Sequence, residues 1–326
     1  LEKVGYGILG VGKLTSKTLI PAFQFCEHSK LVALGSRNPE KAQLKVRGAE
    51  DVFCGSYEEV IAHPQVQVVY VVLPNHLHAE WSIKAMELGK AVLCEKPICT
   101  SGQELDKMRS VSQKTGQLLA EAFMYRFHPQ HQKVLEILSS GVLGELQLFK
   151  AQFSYQLNDP NNIRLKADCY GGALMDVGCY LLDALLRLSG SEISTFHIDQ
   201  KSSPHGTDQN SAIQVKMNSG LLAQLFCSTS SPRANFYHWI GERGSLEVPQ
   251  AFIPASGKQV NLILKTEAGQ QVIKIPGVNQ YALQIDGFSE KVLKKENFVK
   301  KDPLYLNGSL HKALDLLKQA AQTMDA

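Results

Sequence analysis

The sequence predicts an α/β protein: an N-terminal half that winds helices around a parallel sheet, then an α+β half carrying a large, mostly antiparallel sheet. Three observations carry that prediction. Up to residue 123, short apolar runs alternate with helical patterns, the signature of βαβ units. After Arg126 the strand-like runs lengthen, alternate in polarity and are joined by short glycine-bearing turns. The 326 residues exceed one ordinary core, so two domains are expected, 1–123 and 124–326.

In chain order, the first-half strands are expected at 4–9, 30–35, 68–73, 91–95 and 118–123. Helices are expected at 79–88 and 103–114, the latter with Leu105, Met108 and Val111 on one face. Pro21 interrupts the first helix and is suited to begin a second short one. In the second half a helix at 130–139 leads into strands at 146–157, 194–202, 211–217, 221–228 and 260–266. Asn218-Ser219-Gly220 and Gly241-Glu242-Arg243-Gly244 mark turns, and helices are expected at 172–188 and 309–323. The alternation of Phe149, Phe153 and Tyr155 suits either a core face or an open face offered to a second subunit.

Composition narrows the function. Hydrophobic content of 44% with 20% charged residues is that of a globular protein. A net charge of +3, from 34 basic and 31 acidic residues, is too balanced for a nucleic-acid surface. No run of about 18 apolar residues is read, so no membrane association is expected. The seven cysteines (26, 54, 94, 99, 169, 179, 227) lack CxxC spacing, so no disulfide framework or zinc site is expected. The strand pattern begins at Val4, leaving no room for a signal peptide, and a cytoplasmic protein is expected.

The first strand ends in Gly7-Ile8-Leu9-Gly10-Val11-Gly12-Lys13-Leu14. Gly10 and Gly12 suit a tight turn that brings a pyrophosphate against backbone N–H groups at a helix N-terminus, the Rossmann arrangement. Lys13 and Leu14 belong to the same turn, while Thr15 stands where the fingerprint wants a small residue. The second strand ends Ser36-Arg37-Asn38, with Lys41 one turn on, and carries no carboxylate for a ribose 2′-hydroxyl. Ser36 and Arg37 instead suit a 2′-phosphate, which favours NADP over NAD. Beyond the third of the long strands come Leu73, Pro74 and the polar Asn75, His76 and His78, loop residues on the ribose side of the site, or in the case of His78 a helix cap. The two histidines have no third ligand at suitable spacing, so no metal is expected. Glu95-Lys96-Pro97 ends the next strand, where an open parallel sheet holds its ligand, so Glu95 and Lys96 face cofactor and substrate.

In the second half, Gly171-Gly172-Ala173-Leu174-Met175-Asp176-Val177-Gly178-Cys179-Tyr180 opens a helix. Asp176 and Tyr180 are i and i+4 on one face, and Asp183 continues it. The glycine pair permits a close approach of backbone to a ligand.

Taken with Met124-Tyr125-Arg126-Phe127-His128-Pro129, these motifs resemble the glucose-fructose oxidoreductase / inositol dehydrogenase (Gfo/Idh/MocA) family over essentially the whole chain. Within it, the branch of dimeric dihydrodiol dehydrogenase, NADP-dependent xylose dehydrogenase and sugar ketoreductases is the one resembled. The resemblance implies Lys96 and Tyr180 as a catalytic pair, with Asp176 ordering the site or binding substrate. It implies Arg126 near nicotinamide and substrate, and Arg164 on a substrate-side loop. A homodimer or homotetramer through the C-terminal sheet is also implied.

The chemistry agrees. Hydride transfer to a carbonyl builds negative charge on an oxygen that must be protonated. An ordinary phenol, of pKa about 10, is a poor base at neutral pH. A lysine ammonium beside it favours the phenolate and can stabilise the alkoxide. The reaction expected is NADP-dependent oxidation or reduction of a sugar, sugar derivative or diol. The alternatives are a member using tightly held cofactor for elimination or glycoside cleavage, and a non-catalytic sensor or scaffold. Substrate specificity is expected from loops at 158–165 and 230–237.

Overall fold

The structure is a computed structural model and describes residues 3–46, 51–298, 302–306 and 308–324. The chain divides into two compact units, Leu1–Phe127 with Asn279–Asn307, and His128–Val278 with Gly308–Ala326. The single expected cut at 123/124 differs from this. The chain leaves the first unit four residues later and returns to it through 279–307.

The first unit holds strands β1 (Val4–Leu9), β2 (Ser29–Gly35), β3 (Phe53–Gly55), β4 (Val68–Val71), β5 (Ala91–Cys94) and β6 (Leu119–Glu121). They form one sheet in the order β3-β2-β1-β4-β5-β6, and every pairing is parallel. Strand order reverses between β1 and β4, so the loops leaving these two strands diverge and open a crevice at their C-terminal ends. Both faces of the sheet are buried. Tyr6, Ile8, Val68 and Tyr70 point into one apolar cluster, while Leu9, Val69 and Val71 point into the other. That two-sided burial explains the near-continuous apolar runs.

The helix Gln280–Lys294, unmarked in the sequence reading, packs on the Tyr6 face. Its Asp286 carboxylate accepts from the backbone N–H of Glu27 and His28 and from the Ser29 hydroxyl. Nothing local in the sequence announces this, because all three donors lie more than 250 positions away.

The second unit holds β7 (Leu146–Gln156), β8 (Ile193–Ser202), β9 (Asp208–Met217), β10 (Leu222–Ser228), β11 (Ser230–Gly241), β12 (Gly244–Val248), β13 (Val260–Thr266) and β14 (Gly269–Ile275). The sheet order is β14-β13-β12-β11-β7-β10-β9-β8, antiparallel except where β10 runs parallel to β7. Residues 230–237, expected as a loop, are instead the first part of the central strand β11. Pro232 is accommodated there because the β11–β7 register shifts between Ser230 and Ala234.

Register also settles the Phe149 question. Phe149 lies opposite Trp239, and Phe149, Phe153, Tyr237, Trp239 and Phe252 pack as one buried aromatic cluster. Phe149 and Phe153 are core. The other face of the sheet carries Leu148, Phe226, Phe236 and Ile240, all partly exposed. Among the described residues one segment, Ala167–Ser189, is long and apolar enough to cross a membrane; 83% of its most apolar window is buried. It is a core segment of the second unit, which the sequence reading, finding no such run, did not separate out.

Candidate functional site

In the first unit, the expected cofactor residues gather on the loops that leave the C-terminal ends of β1, β2, β4 and β5. Gly10 has φ +110°, and a Cβ there would stand 2.2 Å from the Val72 carbonyl oxygen. Only glycine lets β1 turn so close to the chain leaving β4. A Cβ on Gly12 would meet nothing within 4 Å, and Gly12 and Lys13 are exposed at the start of the helical stretch that follows. The first turn of a helix leaves backbone N–H groups without intrahelical partners. Here they stand in open space, an arrangement that fits a pyrophosphate. Thr15, the departure from the fingerprint, is fully buried and donates its hydroxyl to the Gly10 carbonyl at 2.7 Å. The helix opens with a wide turn over Thr15–Leu19, then continues through Ile20–Ala22 with Pro21 at its start.

After β2, Ser36 is buried and Arg37 exposed. Arg37 lies beside the Tyr57 phenol, whose pKa burial raises and Arg37 lowers. Asn38 caps the helix Pro39–Lys45 by accepting from the Lys41 N–H at 3.2 Å. The strand end thus presents a hydroxyl and a guanidinium and no carboxylate, which fits the 2′-phosphate of NADP. Tyr57 was not anticipated; its place beside Arg37 depends on β3 pairing with β2, and β3 is too short to be read from pattern.

Past β4, Leu73 is buried and Pro74 and Asn75 are half-buried. His78 is turned inward. Its ring is 1% exposed, with Nδ1 2.7 Å from the Pro97 carbonyl oxygen and Nε2 2.7 Å from that of Leu73. Both ring nitrogens face main chain.

At the end of β5, Glu95 is buried and accepts from the Tyr70 hydroxyl at 2.8 Å. Gln284 continues that network. With its amide oxygen accepting from the N–H of Met124 (3.1 Å) and Phe123 (3.2 Å), its amide nitrogen faces the Tyr70 hydroxyl. A tyrosine inside an apolar strand was the available signal, since a buried phenol needs a partner. Lys96 is half-buried. Arg126 is held by main chain as well. It is 6% exposed, donates to the carbonyls of Pro303 (3.0 Å) and Tyr305 (3.3 Å), and stacks on Phe123. Those contacts anchor the returning segment to Met124–Phe127.

In the second unit, Asp176, Tyr180 and Arg164 come together. The helical stretch begins with a wide turn at Leu174–Gly178 and continues as Cys179–Ser189. The Asp176 Oδ1 pairs with Arg164 Nε at 2.9 Å, and its Oδ2 accepts from the Tyr155 hydroxyl at 2.5 Å. Burial first, and the Asp176 charge next, push the Tyr155 phenol up, while Asp176 holds Arg164 well above its ordinary range. Tyr180 is 4% exposed, its ring against Phe153 and Phe252 and within electrostatic reach of Arg164. Tyr155 is the functional neighbour the sequence reading placed only as core or interface. It ends the alternating face of β7 that holds Phe149 and Phe153.

The glycine pair is required by close packing within the chain. A Cβ on Gly171 would lie 2.3 Å from the Arg164 carbonyl oxygen, and one on Gly172 (φ +105°) 2.0 Å from Asp208 Oδ1. The close approach is to the chain's own loop and to a carboxylate that caps the helix, accepting from the Leu174 N–H at 2.7 Å. Among the described residues no group of histidine, cysteine, aspartate and glutamate side chains could hold a metal ion.

Comparison with known proteins agrees with this organisation. Residues 4–123 match the family model described as an oxidoreductase family with an NAD-binding Rossmann fold, and 131–247 match the GFO/IDH/MocA C-terminal domain. The chain is 31% identical over 290 residues to a D-xylose 1-dehydrogenase (NADP+) of Haloferax volcanii, covering 88% of each chain. It is 29% identical over 297 residues to a dTDP-3,4-didehydro-2,6-dideoxy-α-D-glucose 3-reductase of Actinomadura kijaniata, covering 89% of this chain and 88% of that one. A crystal structure of a 3-ketoreductase from Actinomadura kijaniata, with NADP and TDP-benzene, superposes with a TM-score of 0.90 at 27% identity and 98% coverage of both chains.

Proposed function

The chain belongs to the GFO/IDH/MocA oxidoreductase family, and from that premise we propose that it is an NADP-dependent enzyme acting on a hydroxyl or carbonyl of a sugar, sugar derivative or diol. The observation that carries this reading is the rim of the parallel sheet. An open helix start at Gly12–Leu14 and a carboxylate-free Ser36-Arg37 end of β2 stand on one edge with the Glu95-Lys96 loop. NADP, when bound, supplies or accepts the hydride. Gly10, Gly12, Lys13 and Leu14 would hold its pyrophosphate, and Ser36, Arg37 and Lys41 its 2′-phosphate. Leu73, Pro74, Asn75 and Glu95 would line the ribose and nicotinamide side.

Lys96 and Tyr180 are the proposed catalytic residues, a pairing that rests on the family pattern. The Tyr180 phenol carries the proton to or from the substrate oxygen. The Lys96 ammonium favours the phenolate and stabilises charge growing on that oxygen. Asp176 accepts a substrate hydroxyl and is oriented by its pairing with Arg164 and its bond from Tyr155.

Purified protein screened with NADP against aldoses, inositols and trans-diols, and with NADPH against keto-sugars, tests the reading by nicotinamide absorbance. Tyr180→Phe is expected to lower turnover by about 10²–10⁴-fold with NADP affinity nearly intact. Lys96→Met is expected to be at least as damaging. Wild-type turnover in either variant removes that residue from the mechanism, and turnover without net change in NADPH would move the assignment to elimination or glycoside cleavage.

The partly exposed Leu148, Phe226, Phe236 and Ile240 support a homodimer or homotetramer formed through that sheet face, which light scattering on the eluting peak tests. All seven cysteines are free thiols, five of them buried, which supports a cytoplasmic setting.

A further inference from the structure

His78 opens the helix His78–Glu87, yet its ring points inward between two loops. One is the segment leaving β4, through the Leu73 carbonyl; the other follows β5, through the Pro97 carbonyl, each oxygen 2.7 Å from a ring nitrogen. Carbonyl oxygens only accept, and a neutral imidazole carries one N–H, so the ring bonds both loops fully only with a proton on each nitrogen. Burial drives that second proton off most strongly, helped by Lys96, against the two carbonyls and Glu121, and the net direction is below the usual histidine range; the neutral ring donates to one carbonyl and packs against the other, spanning the two loops.

The residues around Lys96 are pinned on both sides. Before it, the Glu95 carboxylate accepts from Tyr70 of β4. After it, Pro97 is held by His78, and the Ile98 N–H donates to the buried Glu121 carboxylate of β6 at 2.9 Å. Of these ties, only the one through His78 also reaches the loop at Leu73.

We propose that His78 is a positioning residue that ties the loop after β4 to the loop after β5 and so sets where the Lys96 ammonium stands. The assignment rests on Lys96 being the catalytic lysine. Displacing a reacting group by about 1 Å can cost about 10²-fold in rate, so a clamp one residue away is expected to register in turnover. Cofactor affinity is expected to fall less than turnover, because the ring bonds the Leu73 and Pro97 carbonyls and not the Gly10–Leu14 turn or the Ser36–Arg37 strand end that would hold the phosphates.

The test uses His78→Leu and His78→Gln in the full chain. In the leucine variant turnover is expected to fall about 10–100-fold, with the NADP dissociation constant rising by a clearly smaller factor. Glutamine, which can still donate to one carbonyl, is expected to restore part of the loss. Amide exchange of the NADP-bound protein without substrate gives a second readout. Peptides covering 73–77 and 95–98 are expected to exchange faster in the leucine variant, and the peptide covering 11–16 at the wild-type rate. Unchanged exchange in both loops overturns the proposal, as does a loss of NADP affinity parallel to the loss of turnover. If wild-type protein turns over none of the substrates, the catalytic reading fails while the exchange data still decide the clamp. Should the leucine variant not fold, the glutamine variant decides by the same two measurements.

Discussion

Replacing Gly172 by alanine strikes the anchor of the helix that carries Asp176 and Tyr180. Two effects add. The backbone there has φ +105°, a conformation that costs an L residue about 1–3 kcal/mol. The new Cβ would also lie 2.0 Å from Asp208 Oδ1, forcing that carboxylate off the Leu174 N–H (2.7 Å) and the Ser211 hydroxyl (2.8 Å). Losing a hydrogen bond to a charged group costs about 1.5–3 kcal/mol. Counting one of the two bonds as lost, the sum is about 2.5–6 kcal/mol, a fall in Tm of roughly 5–24 °C for a unit of this size. Thermal unfolding followed by circular dichroism measures it. On an Asp208→Ala background the clash is gone, so Gly172→Ala should cost only the backbone part, a less-than-additive cycle. A Tm within about 2 °C of wild type, or strict additivity with Asp208→Ala, would show that the helix start is not built on this contact.

Two further outcomes follow from other parts of the molecule. Burial pushes His131 down to about 3 and His128 down to about 4, so the unfolded chain binds protons that the folded chain refuses. Folded values below unfolded ones mean stability that is present above about pH 6.5 and lost as pH falls toward those values. Between pH 7 and 5 the loss is about 2 kcal/mol per histidine. Urea unfolding at the two pH values should show a smaller loss in His131→Gln than in wild type, and equal losses would dismiss the buried imidazole as the cause. Arg37→Ala should weaken NADP binding by about 10–100-fold, the worth of one charge-assisted pair, with NAD binding little changed. A parallel loss for both cofactors in equilibrium titrations would remove Arg37 from the 2′-phosphate.

Elements whose signal is local were legible in the chain. β1 and β13 have the expected bounds, and the helix Gly102–Thr115 begins one residue before and ends one residue after the expected 103–114. Elements whose reason lies elsewhere were not. β3 is three residues long and makes sense only beside β2. The first part of β11 looks like a loop because its Ser-Ser-Pro-Arg start is polar, yet it pairs along β7, Ser230 opposite Gln156 and Ala234 opposite Ser154. The same contrast runs through the candidate site. Gly10, Ser36, Arg37 and Lys96 were readable because strand ends and glycine turns mark them. Tyr155, Gln284 and Asp208 were not, since each matters through a partner 21 to 161 positions away.

By itself the sequence determined the architecture of both halves and the edge of the parallel sheet that bears the dinucleotide motif. Apolar periodicity and glycine placement are properties of neighbouring residues, and neighbours are what a sequence records. Only the tertiary structure decided what His78, Arg126 and the Gly171-Gly172 pair pack against. A buried polar group must find its partner wherever packing brings one, and packing set carbonyl oxygens beside His78 and Arg126 and a carboxylate beside Gly172.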